Sequence, residues 1–303
     1  MVVAVIVTYN RKMELCKNLQ MLYAQTIRID KIIVVDNCST DGTWEKLNED
    51  NYLKKDNFQY LKTRENVGGA GGFFVGTKAA YELGADWIVL MDDDGCPDDE
   101  ETFEKLLTVA EQLHKKNVAE KKIFINALVQ KDEMLSFKID NIYTVSEAIG
   151  IAKNGIIENA ANPFNGTVVS RELVAEIGYP NKDFFIKGDE VDYKQRAFDA
   201  GAYVATVVAA RYNHPRPAVF ERVVLGIKVP FFVEAPWKEY YTARNFTYMY
   251  KKKKQYKAIL FELIFVKILA VMAMECKKRI VIRYIFKGVR DGWLGKLGAT
   301  VKP

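Results

Sequence analysis

Hydrophobic positions in the first hundred residues follow two alternating spacings. Short runs rich in β-branched residues predict strands buried on both faces of a parallel sheet. These runs are Val2–Val7, Lys31–Val35 and Trp87–Met91, and a further short strand is predicted at Phe58–Thr63. Apolar residues at helical spacing lie between them, as at Lys12–Ala24 and Thr43–Asn48. This alternation of strand and helix predicts a doubly wound α/β sheet.

Polar residues stand where several of these predicted strands end. Asn10, Asp36 and Asp92 each occupy such a position, and ligands of open α/β sheets bind beyond the carboxyl ends of the strands. The stretch from Asp99 to Ala161 has a mixed pattern, and a further helix is predicted at Val191–Ala200 before a strand at Tyr203–Ala209. We therefore expect one catalytic domain over residues 1–217 and a separate region over residues 218–303.

Charge is distributed unevenly over the 303 residues, whose net charge is +5. Residues 251–303 carry 14 Lys and Arg against 3 Asp and Glu, so the tail is strongly basic and the rest of the chain is acidic. This asymmetry predicts a separate role for the tail, with an anionic partner surface. The four cysteines are Cys16, Cys38, Cys96 and Cys276. Their wide spacing argues against a disulfide framework or a zinc site and favours the cytoplasm.

Three consecutive carboxylates, Asp92, Asp93 and Asp94, follow the apolar strand Trp87–Met91. Their mutual repulsion can be offset by a divalent cation, and alternate residues of an extended chain point the same way. Hard oxygen ligands suit Mn²⁺ or Mg²⁺, with substrate phosphates completing the coordination. The alternative is a solvated acidic turn. His214, which follows the last predicted strand, is either a further ligand or a structural histidine.

A glycine-rich stretch, Asn66–Gly76, precedes an apolar helix. Its four glycines within five positions let the backbone approach a ligand closely and turn its amides toward anionic groups. The stretch matches neither a Walker loop nor the GxGxxG pattern. We interpret it as a ligand-binding loop ahead of a helix; a flexible surface loop is the alternative.

Two carboxylates, Asp189 and Glu190, stand at the start of the predicted helix Val191–Ala200, after the apolar residues Phe184 and Phe185. A base that deprotonates an alcohol needs such a placement beside the acceptor hydroxyl. Ordinary capping of the helix N-terminus by Asp189 explains the same residues. The local sequence leaves both interpretations open.

Together these segments resemble the GT-A glycosyltransferases of family 2. The matching pieces are Val5–Arg11, Val34–Thr43, Asn66–Gly76, Met91–Asp94 and Phe185–Arg196. In order and spacing they cover about the first 215 residues. The resemblance implies a GT-A, Rossmann-like mixed sheet flanked by helices, with a helical amphipathic appendage at the C-terminus. The form of the glycine-rich stretch is similar to that of the galactofuranosyltransferase branch, next to the rhamnosyltransferases.

The resemblance also implies a role for each matching residue. The nucleotide base and ribose pocket would be lined by Thr8, Tyr9, Arg11 and Asp36. The diphosphate and donor sugar would be bordered by Asn66, Gly68 and Gly69, and the nucleotide diphosphate would also be held by Asp92 and Asp93. The metal ligands would be Asp92, Asp94 and His214. Glu190 stands in place of the family's catalytic base with Asp189 beside it, although the family usually has Asp at this position.

The implied reaction is an inverting transfer of a sugar from a nucleotide-sugar donor to a hydroxyl of a lipid-linked or polysaccharide glycan. The implied donor is UDP-galactofuranose, and dTDP-rhamnose is the alternative. A sugar nucleotidyltransferase is a more distant rival, but such enzymes usually carry a glycine-rich phosphate loop after the first strand, where this chain has Thr8–Lys12. A non-catalytic adaptor is a further rival. No nucleic-acid-binding motif is recognisable.

The C-terminal segment 218–303 combines an apolar row with a basic row at helical spacing. The apolar row is Ile282, Ile285, Phe286 and Val289, and the basic row is Arg279, Arg283, Lys287 and Arg290. This arrangement predicts an interfacial helix on anionic lipid, and hence a peripheral protein on the inner face of the cell membrane. The alternative is a helix that packs on its own domain or on a partner in a homo-oligomer.

Overall fold

The structure, a computed structural model, describes residues 1–216, 218–224, 226–232, 234–274 and 278–301. It forms two compact units. Unit 1 comprises Met1–Pro180 and Tyr193–Arg216, and unit 2 comprises Asn181–Asp192 and Pro217–Pro303. The predicted division into residues 1–217 and 218–303 stays a prediction, and Pro217 itself lies outside the described residues.

Unit 1 contains a mixed sheet. Its strands are β1 (Val2–Thr8), β2 (Lys31–Asp36), β3 (Phe58–Lys62), β4 (Trp87–Asp92), β5 (Cys96–Pro97), β6 (Ile123–Lys131), β7 (Met134–Ile139), β8 (Ile142–Thr144), β9 (Ile156–Glu158), β10 (Asn165–Ser170) and β11 (Tyr203–Asn213). Their order is β3-β2-β1-β4-β10-β6-β11-β5, with β7 beside β6 and β8, and β9 beside β11. The first four strands are parallel, and β10 runs antiparallel to both β4 and β6.

Helices cover both faces of this sheet. They are α1 (Lys12–Tyr23), α2 (Thr43–Glu49), α3 (Gly68–Glu82), α4 (Thr102–Lys115), α5 (Val145–Ile151) and α6 (Arg171–Ile177), with 3₁₀ segments at Tyr52–Lys54 and Val118–Lys121. Because successive residues of a strand point to opposite faces, Ile6 packs with Leu15 and Phe103, while Val5 packs with Phe73 on the other face. This two-sided burial explains the continuous apolar runs of the sequence.

The glycine-rich stretch is helical from Gly68 onward, not a loop as predicted. A methyl group built at Gly72 would lie 2.4 Å from Val7 Cγ1, and one at Gly76 would lie 2.3 Å from Val5 Cγ1. Glycine at these positions lets α3 lie directly on β1. The sequence pattern could not separate this packing role from ligand binding, since both need a missing side chain.

Unit 2 is a hairpin followed by helices. Its elements are a 3₁₀ segment (Lys182–Phe184), β12 (Val219–Val224), β13 (Ile227–Phe232), α8 (Pro236–Lys252), α9 (Tyr256–Ala258), a π-helical segment (Ile259–Val266), α10 (Lys267–Ala273) and α11 (Lys278–Trp293). The helix α7 (Asp189–Asp199) begins in unit 2 and continues into unit 1. Within the described ranges, no helix combines the length and the apolar character needed to cross a bilayer.

Helix α11 packs against α8 through small residues. A methyl group built at Gly288 would lie 2.4 Å from the carbonyl oxygen of Tyr240, and one at Gly292 would lie 2.2 Å from that of Arg244. Of the apolar row predicted to face lipid, Ile285 is fully buried in this packing, whereas Phe286 is 49% exposed. Much of that row therefore serves packing within unit 2, which was the alternative interpretation.

The thiols of Cys16, Cys38 and Cys96 are free. Cys276 lies outside the described residues.

Candidate active site

The carboxyl ends of three parallel strands lie side by side in unit 1. In the sheet register Thr8 of β1 is opposite Asp36 of β2, and Val7 is opposite Asp92 of β4. The loop that follows each strand therefore leaves from the same edge. The polar residues that the sequence placed at strand ends, including Asn10, are collected at this edge.

Asp93 connects two of these loops. The side chain is buried, and its carboxylate accepts hydrogen bonds from Thr8 Oγ1 at 2.8 Å and from the Tyr9 amide at 3.3 Å. Arg11 Nη1 lies 3.2 Å from Asp93 Oδ1. Burial raises the pKa of Asp93 to about 6, against the opposing effects of Arg11 and the Thr8 hydroxyl. Asp93 thus fastens the end of β4 to the turn after β1, while the Tyr9 side chain stays 44% exposed.

Asp94 faces the side chains of Arg11 and His214. Its Oδ2 is 2.5 Å from Arg11 Nη1, and its Oδ1 is 3.2 Å from His214 Nε2. Burial tends to raise the pKa of Asp94, but the hydrogen bond and charge of His214, together with Arg11, lower it to about 2. Asp94 is therefore held as a carboxylate at this edge of the sheet.

The ring of His214 is oriented by its own loop. Nδ1 lies 2.7 Å from the carbonyl oxygen of Pro215, which can only accept a hydrogen bond, so Nδ1 carries a proton. Nε2 then faces the Asp94 carboxylate. Both ring nitrogens thus face oxygen atoms, Nδ1 that of Pro215 and Nε2 that of Asp94. Imidazole and carboxylate are ligands that Mn²⁺ accepts, so these residues fit a divalent ion.

Two hydrogen bonds fix the backbone of Asp92. Its amide donates to the carbonyl oxygen of Phe164 at 2.8 Å, and its carbonyl oxygen accepts from Asn18 Nδ2 at 3.0 Å. The side chain is half-buried. Over the described part of the chain, His, Cys, Asp and Glu side chains form no group of three or more that could hold a metal ion. A divalent ion at Asp94 and His214 would therefore need oxygens from its substrate.

Asp36 lies fully buried at the end of β2. It accepts hydrogen bonds from the Ser39 amide at 2.8 Å and from the Tyr60 hydroxyl, and Lys62 Nζ is 3.9 Å from Oδ2. Tyr60 and Lys62, the contacts of Asp36, were not among the site residues predicted from the sequence. Lys62 is opposite Asp36 in the parallel register of β2 and β3, so a polar residue at the end of the neighbouring strand was the available signal.

The first turn of α3 lies near the end of β2. Asn37 Oδ1 accepts a hydrogen bond from the Val67 amide at 3.0 Å, and Asn66 Oδ1 accepts one from the Gly68 amide at 2.8 Å. Gly68 has φ +75°, which only glycine adopts easily. A methyl group built at Gly69 would meet nothing within 4 Å. The N-terminus of a helix attracts anions, and Gly69 leaves this one open.

Asp189 and Glu190 begin α7 and lie in unit 2. Asp189 is buried and Glu190 is half-buried. Glu190 Oε2 accepts a hydrogen bond from the Gly188 amide at 3.0 Å, so Glu190 caps its own helix in this structure. The capping that the sequence suggested for Asp189 stays a prediction. In unit 1 the contacts of Asp93 and Asp94 join Thr8, Tyr9, Arg11 and His214. Asp189 and Glu190 belong to unit 2.

Comparisons with known proteins place this geometry in a family. Residues 3–142 match "Glycosyl transferase family 2". The chain is 34% identical over 255 residues to galactofuranosyltransferase GlfT1 of Mycobacterium tuberculosis. The aligned region covers 82% of this chain and 81% of that protein. The chain belongs to glycosyltransferase family 2. The chain is also 25% identical over 252 residues to dTDP-rhamnosyl transferase RfbF of Shigella flexneri. That alignment covers 80% of this chain and 77% of the rhamnosyl transferase.

Solved structures agree with this assignment at the level of the fold. The mannosyltransferase PcManGT from Pyrobaculum calidifontis, in complex with GDP-Man and Mn²⁺, has a TM-score of 0.58 at 14% identity, covering 97% of this chain and 87% of that one. The predicted GT-A fold with a helical C-terminal region is therefore confirmed. The prediction that the chain is a glycosyltransferase is confirmed as well.

Proposed function

We propose that this glycosyltransferase moves galactofuranose from UDP-galactofuranose to a hydroxyl of a lipid-linked or polysaccharide glycan, with inversion at the anomeric carbon. The observation that carries the proposal is the 34% identity to a galactofuranosyltransferase over 82% of the chain. The polar edge of unit 1 supports it, because open α/β sheets bind ligands at the carboxyl ends of their strands.

In this proposal the donor occupies unit 1. The base and ribose lie against Thr8, Tyr9, Arg11 and Asp36, and the diphosphate and sugar lie against Asn66, Gly68, Gly69, Asp92 and Asp93. The exposed ring of Tyr9 and the open first turn of α3 favour these roles. Asp93 and Asp36 also hold the loops of the site through their hydrogen bonds within the chain.

A divalent ion, Mn²⁺ or Mg²⁺, is held in this proposal by Asp94 and His214 with Asp92 beside them. When bound, it would offset charge on the departing diphosphate as a Lewis acid. Arg11, which contacts both Asp93 and Asp94, stays in place to neutralise the carboxylates and to orient them.

The acceptor hydroxyl is deprotonated by Glu190 in this proposal, with Asp189 contacting the acceptor. For this role the Glu190 carboxylate must present an oxygen that does not cap the Gly188 amide, and its second oxygen can do so. Removal of a general base commonly costs about 10²–10⁴-fold in rate. Glu190→Gln should therefore keep donor binding and lose most of the transfer, whereas wild-type turnover would overturn the assignment.

The donor sugar is tested by a direct comparison. Purified enzyme is incubated with an acceptor glycan, Mn²⁺ and either UDP-galactofuranose or dTDP-rhamnose, and the product is identified by mass spectrometry. Transfer of galactofuranose supports the proposal. Transfer of rhamnose alone would replace it with the second candidate, for which the 25% identity to a rhamnosyl transferase speaks.

We also propose that unit 2 lies on an anionic membrane surface at the cytoplasmic face. Leu260, Phe261 and Phe265 are 54–66% exposed, and the basic residues Arg279 and Arg283 are exposed as well. Exposed apolar side chains beside basic ones favour an anionic lipid surface. The protein should sediment with anionic liposomes at low salt, and Phe261→Ser should weaken this. A dimer with no lipid binding would assign the patch to a second copy instead.

A further inference from the structure

The segment directly before Asp189 and Glu190 has an unusual backbone. Phe185 has φ +65°, Lys187 has φ +67° and Gly188 has φ +86°. Residues other than glycine adopt such angles at a cost, and these conformations persist only where the surroundings hold them. The segment 183–188, named here the carboxylate loop, therefore needs support from outside itself.

Asn245 of α8 gives part of that support. The side chain is fully buried, and its Nδ2 lies 3.0 Å from the carbonyl oxygen of Phe184, 3.0 Å from that of Ile186 and 2.7 Å from that of Lys187. The two hydrogens of one amide group thus face three carbonyls of the carboxylate loop. Carbonyl oxygens buried in this way need a donor.

Arg244, the preceding residue, completes the arrangement. Its Nη2 donates to the carbonyl oxygens of Phe184 at 2.8 Å and Asp183 at 3.2 Å. Its Nε donates to Asn245 Oδ1 at 2.8 Å. This last bond fixes the orientation of the Asn245 amide, because an oxygen that accepts from Nε leaves Nδ2 facing the carboxylate loop.

The donors of Arg244 and Asn245 hold the residues that directly precede Asp189 and Glu190 in the chain. A fully buried guanidinium is costly to desolvate, and Arg244 is fully buried. Its bonds to Asp183 and Phe184 reach the same stretch that Asn245 holds. The next residue after this stretch, Gly188, donates its amide to Glu190. A shift of the carboxylate loop would thus move the Glu190 carboxylate directly.

We propose that Arg244 and Asn245 are positioning residues that hold the carboxylate loop so that Glu190 is oriented for transfer. The inference rests on the proposed role of Glu190 as the base. It assigns a function in the reaction to a helix of unit 2 whose residues need touch neither donor nor metal.

Asn245→Asp is the first test, because it keeps the size of the side chain and replaces the donating amide by an oxygen facing three carbonyls. A misplacement of about 1 Å can cost about 10²-fold in rate. We expect kcat to fall about 10–100-fold while the KM for donor stays unchanged. Thr247→Val is the matched control on the same helix, since its buried hydroxyl has no hydrogen-bond partner among the described residues.

Folding is checked for each variant by circular dichroism and by calorimetric binding of UDP with Mn²⁺. If Asn245→Asp does not fold, Arg244→Lys replaces it, because lysine keeps the charge but cannot reach Asp183 and Phe184 with one planar group. A folded variant with wild-type kcat would overturn the proposal. So would an equal loss of kcat in Thr247→Val.

A double variant separates positioning from general destabilisation. If Asn245 acts through Glu190, then Asn245→Asp should change kcat less than about threefold in a Glu190→Gln background, because residues that act as a unit are not additive. If the losses of kcat in the two single variants were fully additive, only the positioning role of Asn245 would be overturned, and the proposed base would stand. Wild-type activity of Glu190→Gln would instead overturn the proposed base, so the two failures are distinguishable.

Discussion

Helix α3 lies so close to the central strands that Gly76 admits no side chain. A methyl group there would lie 2.3 Å from Val5 Cγ1 and 3.1 Å from Val35 Cγ2, whereas non-bonded carbons settle at about 3.5–4.0 Å. Val5 and Val35 are both fully buried. In Gly76→Ala, α3 or the strands must therefore retreat by about 1 Å to restore ordinary contact.

The size of the effect follows from two opposing terms. Overpacking costs about 1–3 kcal/mol, and alanine returns up to about 1 kcal/mol through its better helix propensity, so Gly76→Ala should lose up to about 3 kcal/mol of unfolding free energy. Gly150→Ala is the control, since a methyl group in this exposed position of α5 meets nothing within 4 Å. It should be neutral or gain up to about 1 kcal/mol.

Urea denaturation of the variants, compared by midpoint and slope, measures both changes. Val5→Ala adds a specific test, because it removes the Cγ1 atom that the new methyl group meets. The double variant Gly76→Ala with Val5→Ala should be more stable than the sum of the single effects predicts. A Gly76→Ala variant as stable as the control Gly150→Ala, or strict additivity with Val5→Ala, would refute the steric reasoning.

Three further predictions concern contacts within unit 1 or within unit 2. Asp94→Asn removes a charge that faces His214 and should weaken Mn²⁺-dependent UDP binding about tenfold or more by calorimetry, with binding in EDTA as the control; equal affinities would contradict it. Thr8→Val removes the hydroxyl that donates to buried Asp93 and should cost about 1–3 kcal/mol in urea unfolding. Gly288→Ala should lower the melting temperature of unit 2, since the added methyl would collide with the carbonyl oxygen of Tyr240; an unchanged melting curve would speak against close packing of α8 and α11.

The parallel half of the sheet was predictable because its signal is local. The predicted strands Val2–Val7 and Trp87–Met91 differ from β1 and β4 by one residue at their ends. A run of β-branched residues is favourable only where both faces are buried. The stretch from Asp99 to Ala161 was harder to interpret, because it contains only one long buried strand, β6. Its strands β7, β8 and β9 are short, and β9 pairs with β11, which is distant in sequence.

The site was predictable as far as strand ends determine it. Asp36 and Asp92 could be predicted as site residues from their positions alone, because the carboxyl ends of parallel strands lie at one edge of the sheet. The pairing of Asp94 with His214 across 3.2 Å is a tertiary contact, and local sequence supplied only the residue types. Lys62, at the end of β3, could have been predicted from its position in the same way as Asp36, whereas the contact of Tyr60 with Asp36 is again tertiary.

The glycine-rich stretch illustrates an ambiguity that sequence cannot remove. A missing side chain lets either a ligand or another backbone come close. Gly72 and Gly76 serve contact with β1, whereas Gly69 is open. Whether a glycine serves ligand binding or helix packing depends on which side of α3 it occupies. That side depends in turn on the residue at which the helix begins. The helix was predicted to begin only after Gly76, so the whole stretch was interpreted as a loop, with Gly68 and Gly69 as ligand-binding residues.

The charge pattern separated the basic tail from the rest of the chain, whereas the contacts group residues 181–192 with the C-terminal helices. The difference arises because Arg244 and Asn245 hold this segment through its carbonyl oxygens, and every residue has a carbonyl. No composition signal can therefore reveal which segment two buried donors hold. What the sequence did offer was a polar pair, Arg244 and Asn245, within the aromatic stretch Tyr240–Phe246. Burying such a pair is costly unless its donors are satisfied, so the pair predicts that hydrogen-bond acceptors lie close to it.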